Sequence, residues 1–487
     1  MVETEVTRSD LSGGARTGLL VAGLSVVVLT VAVLQTAVVP VLGIIAHQLH
    51  ASTVAASWAV TANLLAAAAA TPLIGRLADL HSKKRVLLTV LVVVLAGSVL
   101  AATTTSLALL IVARVLQAAS YGLYPISIAI LREELPEDRM GAAMSVLSGT
   151  LGFGGGTGLV VVGLLMSGQA GYHRVFWLTT AFTVVVIAIA ITVVPARPRT
   201  STGTIDWLGA FGLASGLSAL LLAITQGHAW GWTSPATLAC AASGVVVLAA
   251  WWFWERRAKQ PLVSTEMMTR RPIMLTNLAT VFVGMGLYFA FLGLTQFVQI
   301  PYAAAGYGFG ATVLEASVVY LLPGAVTGFL VALVSGRFID RYGARPVLVT
   351  AAVAGIAGFL FIALAHDAPW QIVAASILAN AYIALGYGAL PALVVAEVDA
   401  GETGVATSMN AIARTVGSSL AAAMVAVLLG RTSGGVPMES SFVAIFIGGA
   451  ATAALAMVLI AFSRPRRAAI ESVEARYESR AMNHEWG

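Results

Sequence analysis

The sequence predicts an all-α membrane protein of fourteen transmembrane helices, built as two six-helix halves with an inserted helix pair. Three observations predict it. Of 487 residues, 59% are hydrophobic and only 10% charged, with a mean hydropathy of +0.90; an average soluble chain carries roughly 25% charged residues. The apolar residues gather into blocks long enough to cross about 30 Å of hydrocarbon at about 1.5 Å per helical residue. Short motifs also recur at a long, near-constant offset, the mark of a duplicated unit.

Residues 1–17 carry Glu3, Glu5, Arg8, Asp10 and Arg16 and run directly into an apolar block, a pattern unlike a cleavable signal. They are read as a cytoplasmic tail. The first span falls at 18–45. The second, 53–75, ends at Gly75, and the third, 86–103, begins after the basic run Lys83-Lys84-Arg85. The fourth, 107–130, stops before Arg132-Glu133-Glu134; the fifth, 142–165, is glycine-rich; the sixth, 175–195, ends at Pro195. Spans at 205–225 and 235–254 flank Gly231-Trp232, and a charged stretch through Arg271 separates them from 273–299. The last five fall at 313–336, 347–365, 371–395, 404–429 and 441–462. The blocks are continuous, rich in Ala, Leu and Gly, and lack period-two alternation, so a β-barrel is excluded.

Charge supports the count. With the N-terminus inside, 23 of the 27 Lys and Arg fall in cytoplasmic segments, two (Arg174 and Arg431) in outer loops, and two (Arg114 and Arg414) within spans. One miscounted span would invert every later loop. The same distribution assigns the net charge of +5 to membrane orientation and excludes a nucleic-acid partner. The lone cysteine, Cys240, excludes an internal disulfide framework and a multi-cysteine metal site.

The repeat is carried by three matches. Gly75-Arg-Leu-Ala-Asp79 pairs with Gly336-Arg-Phe-Ile-Asp340 at an offset of 261, Tyr121-Gly122 with Tyr387-Gly388 at 266, and Gly141-Ala-Ala with Gly404-Val-Ala at 263. A plain duplication of six spans would give an offset near 200, so about 65 residues are extra, the length of the pair at 200–265. The expected division is a tail at 1–17, a half at 18–195, the insert at 196–272, a half at 273–462 and a cytoplasmic tail at 463–487. Two repeated halves place a substrate between them near the midplane and expose it alternately to each side.

These motifs resemble the major facilitator superfamily, and within it the fourteen-span drug:proton antiporters, over nearly the whole chain. Gly75-x-Leu77-Ala78-Asp79 with Lys83-Lys84-Arg85 is similar to the superfamily's loop motif, Arg114-x-x-Gln117 to its span-4 motif, and the glycines from Gly149 to Gly163 to the span-5 antiporter motif. Asp206-Trp207-Leu-Gly209, Gly231-Trp232-Thr-Ser-Pro235, Trp254-Glu255-Arg-Arg and Asn410-x-x-x-Arg414 resemble the fourteen-span branch. There are departures: Leu80 and Ser82 in the loop motif, Ala118 after Gln117, Leu159 for a proline, and Gln35 where span 1 usually has an aspartate.

Candidate residues follow. A carboxylate near the positive end of a facing helix, or beside an arginine, can hold the cytoplasmic side closed. Gly75, Asp79, Lys83, Lys84 and Arg85 are therefore gate candidates, with Gly336, Asp340, Arg341 and Arg345 as counterparts. Arg114 and Arg414 are charges inside spans, costly unless paired or hydrated, and are candidates for the substrate cavity or coupling. Gln35, Asn63, Gln117, Tyr121, Gln296, Gln299, Asn380 and Asn410 are further cavity candidates, with interhelical hydrogen bonding as the competing use. Gly149, Gly152, Gly156 and Gly163 share helical spacing and offer a smooth packing face.

The expected function is secondary export of a small amphipathic molecule, a drug, antibiotic or metabolite, across a bacterial cytoplasmic membrane, with protons as the coupling partner. A facilitator or importer without proton exchange is the alternative, and a transporter-like sensor a remote one. No His-Glu-x-x-His, paired midplane aspartates or long extramembrane segment is present, so no enzyme is expected, nor a cofactor or metal. The chain is expected to act as a monomer. Since the usual acid is Gln35, the cavity should be neutral to positive, favouring a neutral, zwitterionic or anionic substrate, with coupling weak or routed through Glu315 or a helix-end acid.

Overall fold

The polypeptide solves the backbone problem of the bilayer with helices, which bond their own amides and carbonyls. A computed structural model describes residues 3–38, 41–51, 53–165, 171–197, 203–433 and 436–463. The tail expected at 463–487 lies beyond residue 463 outside the described residues. Among the described residues, fourteen helices are long and apolar enough to span a membrane. They are α1 (Glu3–Thr36), α2 (Thr53–Leu80), α3 (Lys83–Thr103), α4 (Leu107–Glu134), α5 (Glu137–Leu165), α6 (His173–Val193) and α7 (Trp207–Trp230). Then come α8 (Pro235–Glu255), α9 (Arg271–Gln299), α10 (Ala316–Tyr342), α11 (Ala344–Leu364), α12 (Pro369–Val395), α13 (Thr403–Leu429) and α14 (Glu439–Phe462).

Three of the expected spans are less regular than their hydropathy suggests. The block at 18–45 is two elements, α1 ending at Thr36 and a short helix Leu42–Gln48; Pro40, which lacks an amide hydrogen, falls between them. Within α4, Ala118–Gly122 is a 3-10 turn. α10 opens with a π-helical turn, Ala316–Leu321, before its proline-led straight portion. Capping sets other starts: Asp206 accepts from the Gly209 amide at 2.8 Å to open α7, and Ser234 from the Thr237 amide at 3.2 Å to open α8. A two-residue antiparallel pair, β1 (Thr432–Ser433) and β2 (Val436–Pro437), precedes α14.

Three kinds of core hold the bundle together. Clusters around Leu24, Val94, Leu131 and Leu147, and around Ile45, Leu110 and Phe176, join the helices from α1 to α6. A cluster around Phe289, Phe297, Phe359 and Phe446 joins α9 to α14. A third kind contains Leu213, Leu217 and Leu221 of α7, Trp251 of α8, Ala68 of α2 and Val405, Met409 and Ile412 of α13. The inserted pair is thus tied to one helix from each repeat. Its second member is the outer one: few α8 side chains are buried, and Leu238, Val246 and Phe253 are exposed as lipid-facing side chains are in a bilayer.

Candidate functional site

The repeats meet most closely at the end of the bundle that carries Arg76, Lys83 and Arg132, here called the basic end. Asp79, 0% exposed, closes α2 against the start of α13. Its Oδ1 accepts from the Gly404 amide at 2.9 Å and its Oδ2 from the Val405 amide at 3.0 Å. These are orphan donors of a helix N-terminus, where partial positive charge favours a carboxylate. The crossing needs glycine on both sides: a Cβ at Gly404 would lie 2.6 Å from Asp79 Oδ1 and from the Gly75 carbonyl, and one at Gly75 would overlap Ser408.

The second repeat supplies the mirror contact. Gly336 of α10 packs on Ala142 of α5, and Gly141 packs against the Asp340 carboxylate. Each Gly-x-x-x-Asp segment therefore sits on the Gly-x-Ala helix start of the other repeat. Arg132, which sequence reasoning did not single out, adds a third tie. Its guanidinium donates to Thr403 Oγ1 at 2.6 Å, the Val398 carbonyl at 2.6 Å and the Asp399 carbonyl at 3.3 Å. The other basic candidates bond within their own repeat: Lys83 pairs with Glu133, Lys84 donates to the Ile191 carbonyl at 2.7 Å, and Arg345 to the Ile460 carbonyl at 2.9 Å. Arg341 stacks on Tyr342 at 5.3 Å, and Arg85 is exposed.

On the far side of these contacts lies a cavity of about 190 Å³ between the repeats. α1 contributes Gln35 and Thr36, α4 Tyr121, α5 Ser148 and Gly152, α9 Tyr288 and Phe291, α12 Asn380 and Tyr387, α13 Arg414 and Ser419. Gln35 Nε2 lies 3.4 Å from the Tyr288 hydroxyl, a contact across the two repeats. The Arg414 guanidinium stacks 4.7 Å from the Tyr387 ring centre and 5.3 Å from that of Tyr124, so aromatic faces steady its charge. Beneath it, Ser148 Oγ donates to the Tyr387 carbonyl at 2.7 Å and the Tyr124 hydroxyl meets Ser148 Oγ at 2.7 Å. The Tyr121 hydroxyl is buried with no hydrogen-bond partner among the described residues. Arg414 is the one charged group among the described lining residues, and none of these is Asp or Glu.

Of the cavity candidates, Gln35, Tyr121, Asn380 and Arg414 meet here; the others do not. Arg114, 1% exposed, donates to the Ala59 carbonyl at 3.1 Å, the Leu34 carbonyl at 3.2 Å and Gln117 Oε1 at 2.6 Å. It clamps α1, α2 and α4 together one residue before Gln35. Asn63 donates to the Arg114 carbonyl at 2.7 Å and Gln117 to Ser98 at 2.9 Å, completing that cluster. Asn410 bonds Asn277 and Thr280 at 2.9 and 2.7 Å. Gln299 returns to the Thr295 carbonyl at 2.7 Å, and Gln296 is exposed.

Among the glycines, Gly149 packs directly on Ala332 of α10, and Gly152 has open space and lines the cavity. The packing at Gly156 and Gly163 lies outside the described residues. Glu315 is held at the end of α10 remote from the basic end by bonds from the Thr312 amide and hydroxyl at 2.8 and 3.0 Å, which keep its carboxyl below the usual carboxylate range.

Fourteen apolar helices, two repeats in contact at one end and a cavity between them define a membrane transporter. The chain belongs to the Major Facilitator Superfamily, whose profile matches residues 24–207 and 207–422. It is 27% identical over 408 residues to the tetracenomycin C resistance and export protein of Streptomyces glaucescens, covering 80% of this chain and 72% of that one. To an uncharacterized MFS-type transporter of Mycobacterium tuberculosis it is 30% identical over 423 residues, 83% of this chain but 59% of the relative's length. To a multidrug transporter protein of Bacillus subtilis it is 23% identical over 384 residues, 78% and 69% of the two chains. The fold matches the crystal structure of the human organic anion transporter MFSD10 with a TM-score of 0.62 at 15% identity, over 92% of this chain and 99% of that one.

Proposed function

We propose that this transporter exports a small amphipathic molecule that is neutral, zwitterionic or anionic, by alternating access across a bacterial cytoplasmic membrane. One observation carries the substrate class: the cavity has aromatic walls, a single guanidinium and no carboxylate among its described lining residues. In a site of low dielectric, Coulomb repulsion from Arg414 disfavours a dication and favours an anion or a polarised oxygen. The Tyr121 hydroxyl, buried without a hydrogen-bond partner among the described residues, adds a donor for the same oxygen. The export direction is supported by the relatives, one of which is a resistance and export protein.

In this reading the basic end is cytoplasmic, as the positive-inside rule requires, and both termini lie there. The contacts of Asp79, Arg132, Gly336 and Asp340 form the gate that closes it, Lys83 and Arg345 stiffening their own repeats. Breaking the gate while the cavity's other end closes carries the substrate site from one side to the other. Proton coupling then belongs to a helix-end acid, and Asp79 is the acid buried across the two repeats. The chain works as a monomer, with lipid around it and no cofactor.

The test is transport in proteoliposomes. Purified protein should move tetracenomycin C, fluorescein or a neutral phenoxazine dye against a gradient when a pH difference is imposed, and Gln35→Asp should increase the dependence on that difference. Equal movement with and without the pH difference by both proteins, never beyond equilibration, would replace the exporter with a facilitator.

A further inference from the structure

α2 and α13 touch backbone to backbone near Gly75 and Gly404. Further from the basic end, the inserted helix α7 packs against both. Ser218 Oγ reaches the Leu65 carbonyl at 3.5 Å, and Gln226 Nε2 donates to Thr61 Oγ1 at 3.2 Å. Gln226 is 4% and Thr61 7% exposed, so this bond is made in a place where an unmet amide would be costly. On the α13 side, Leu213, Leu217 and Leu221 share one apolar cluster with Met409 and Ile412. α7 therefore occupies the lateral seam between the two repeats. One of its side chains, Thr225, passes through that seam to the cavity, sharing its lining with Leu64 of α2 and with Thr415 and Ser419 of α13.

We infer that α7 is a third wall of the substrate cavity, which seals the seam between α2 and α13 against lipid and presents Thr225 to the substrate. This rests on the cavity being the substrate site, as proposed above. The Thr225 hydroxyl proton is engaged by the Leu221 carbonyl at 2.9 Å, so its oxygen faces the cavity as an acceptor. It suits a hydroxyl or amide N–H on the substrate, opposite the donors Arg414 and Tyr121. Gln226 with Thr61 is the fastening that keeps the wall on α2. A duplicated pair of halves without the insert would leave this seam to lipid. The insert gives the cavity a side wall with one more polar contact.

The decisive experiment needs no transport. In a Cys240→Ser background, a bimane fluorophore on Thr225→Cys in nanodiscs should be quenched by aqueous iodide and only weakly by doxyl-labelled lipid. Adding Gln226→Leu with Thr61→Val should raise the lipid quenching. The opposite pattern in the parent, lipid quenching without iodide quenching, would overturn the wall. Transport of fluorescein tests the contact: Thr225→Trp should reduce it at least about tenfold and Thr225→Ser less than about twofold. Leu238→Trp, on the exposed face of α8, should match the wild type. Full transport by Thr225→Trp would overturn the substrate contact. Failure of the wild type to move any probe would count against the exporter reading alone, because the quenching pattern stands apart from it.

Discussion

Asp79→Asn weakens the basic-end closure at its best-defined point. The native carboxylate meets two α13 amides, at 2.9 and 3.0 Å, with no exposure to solvent. Asparagine keeps one acceptor and turns an NH2 group toward the other amide, leaving a buried donor unmet at a cost of about 1–3 kcal/mol. The loss of negative charge at the α13 N-terminus adds roughly 0.3–1 kcal/mol. Both penalties exist only while the end is closed, since water satisfies the same groups once it opens. Relief from burying a charge opposes them. A net shift of about 1.5–2 kcal/mol toward the open form corresponds to a factor of roughly 10–30 in the equilibrium between closed and open forms, at 1.4 kcal/mol per tenfold. Spin labels on His81→Cys and Ala396→Cys, both exposed at this end, with Cys240→Ser, would read it as a distance distribution. The native pair should show mostly the short distance and the Asn variant a dominant long one. Gly404→Ala should act in the same direction without touching charge, because its Cβ would meet Asp79 and the Gly75 carbonyl at 2.6 Å. Distributions unchanged in both variants would refute the gate.

Three further outcomes are expected. In intact cells lacking Cys240, a cysteine at Thr233 should react with an impermeant thiol reagent and cysteines at His81 or Glu266 should not; outside labelling at Glu266 would break the fourteen-span orientation at its inserted pair. Arg114→Ala removes the donor to the Ala59 and Leu34 carbonyls and Gln117, so it should lower the melting temperature by several degrees and abolish transport by releasing α1 beside Gln35, an account that wild-type transport would overturn. Glu315, its carboxyl depressed by Thr312, contributes stability that is present above the unfolded value of roughly 4.3 and lost only below it. The transport profile of Glu315→Gln should therefore follow the native one between about pH 6 and 8, and an acid-limb shift in that window would return Glu315 to the coupling path.

Hydropathy made the fourteen helices legible because each must satisfy its own backbone in lipid, and the distribution of arginine and lysine supported their count. The repeated Gly75–Asp79 and Gly336–Asp340 segments pointed to the basic end for the same reason: two backbones can cross that closely only where Cβ atoms are missing. What hydropathy could not show is which face of a helix a polar side chain occupies. Gln35 and Gln117 look alike in sequence, yet one faces the cavity and the other bonds Ser98. Arg114 carries a membrane-embedded charge with no carboxylate bonded to it among the described residues, and besides Gln117 its partners are main-chain carbonyls, which no residue type announces. Arg132 looked like any orienting cation at a helix end; only its position opposite Val398 and Thr403 makes it a tie between repeats. Thr225 gave no signal because an apolar inserted helix reads as a lipid-facing accessory. The breaks after Thr36 and at Ala118 had partial signals, in Pro40 and the Tyr121-Gly122 pair.

In the proposed mechanism a lone guanidinium, with no carboxylate among the described lining residues, sets the charge preference of the cavity. Matched efflux from proteoliposomes of an anionic xanthene dye and a dicationic phenanthridinium, under one imposed pH difference, tests it most directly. Concentrative movement of the anion, little of the dication, and a loss of the anion's advantage in Arg414→Gln are expected. Robust pH-driven efflux of the dication by the native protein would contradict it, and would mean that an acid reaches the cavity from a helix end.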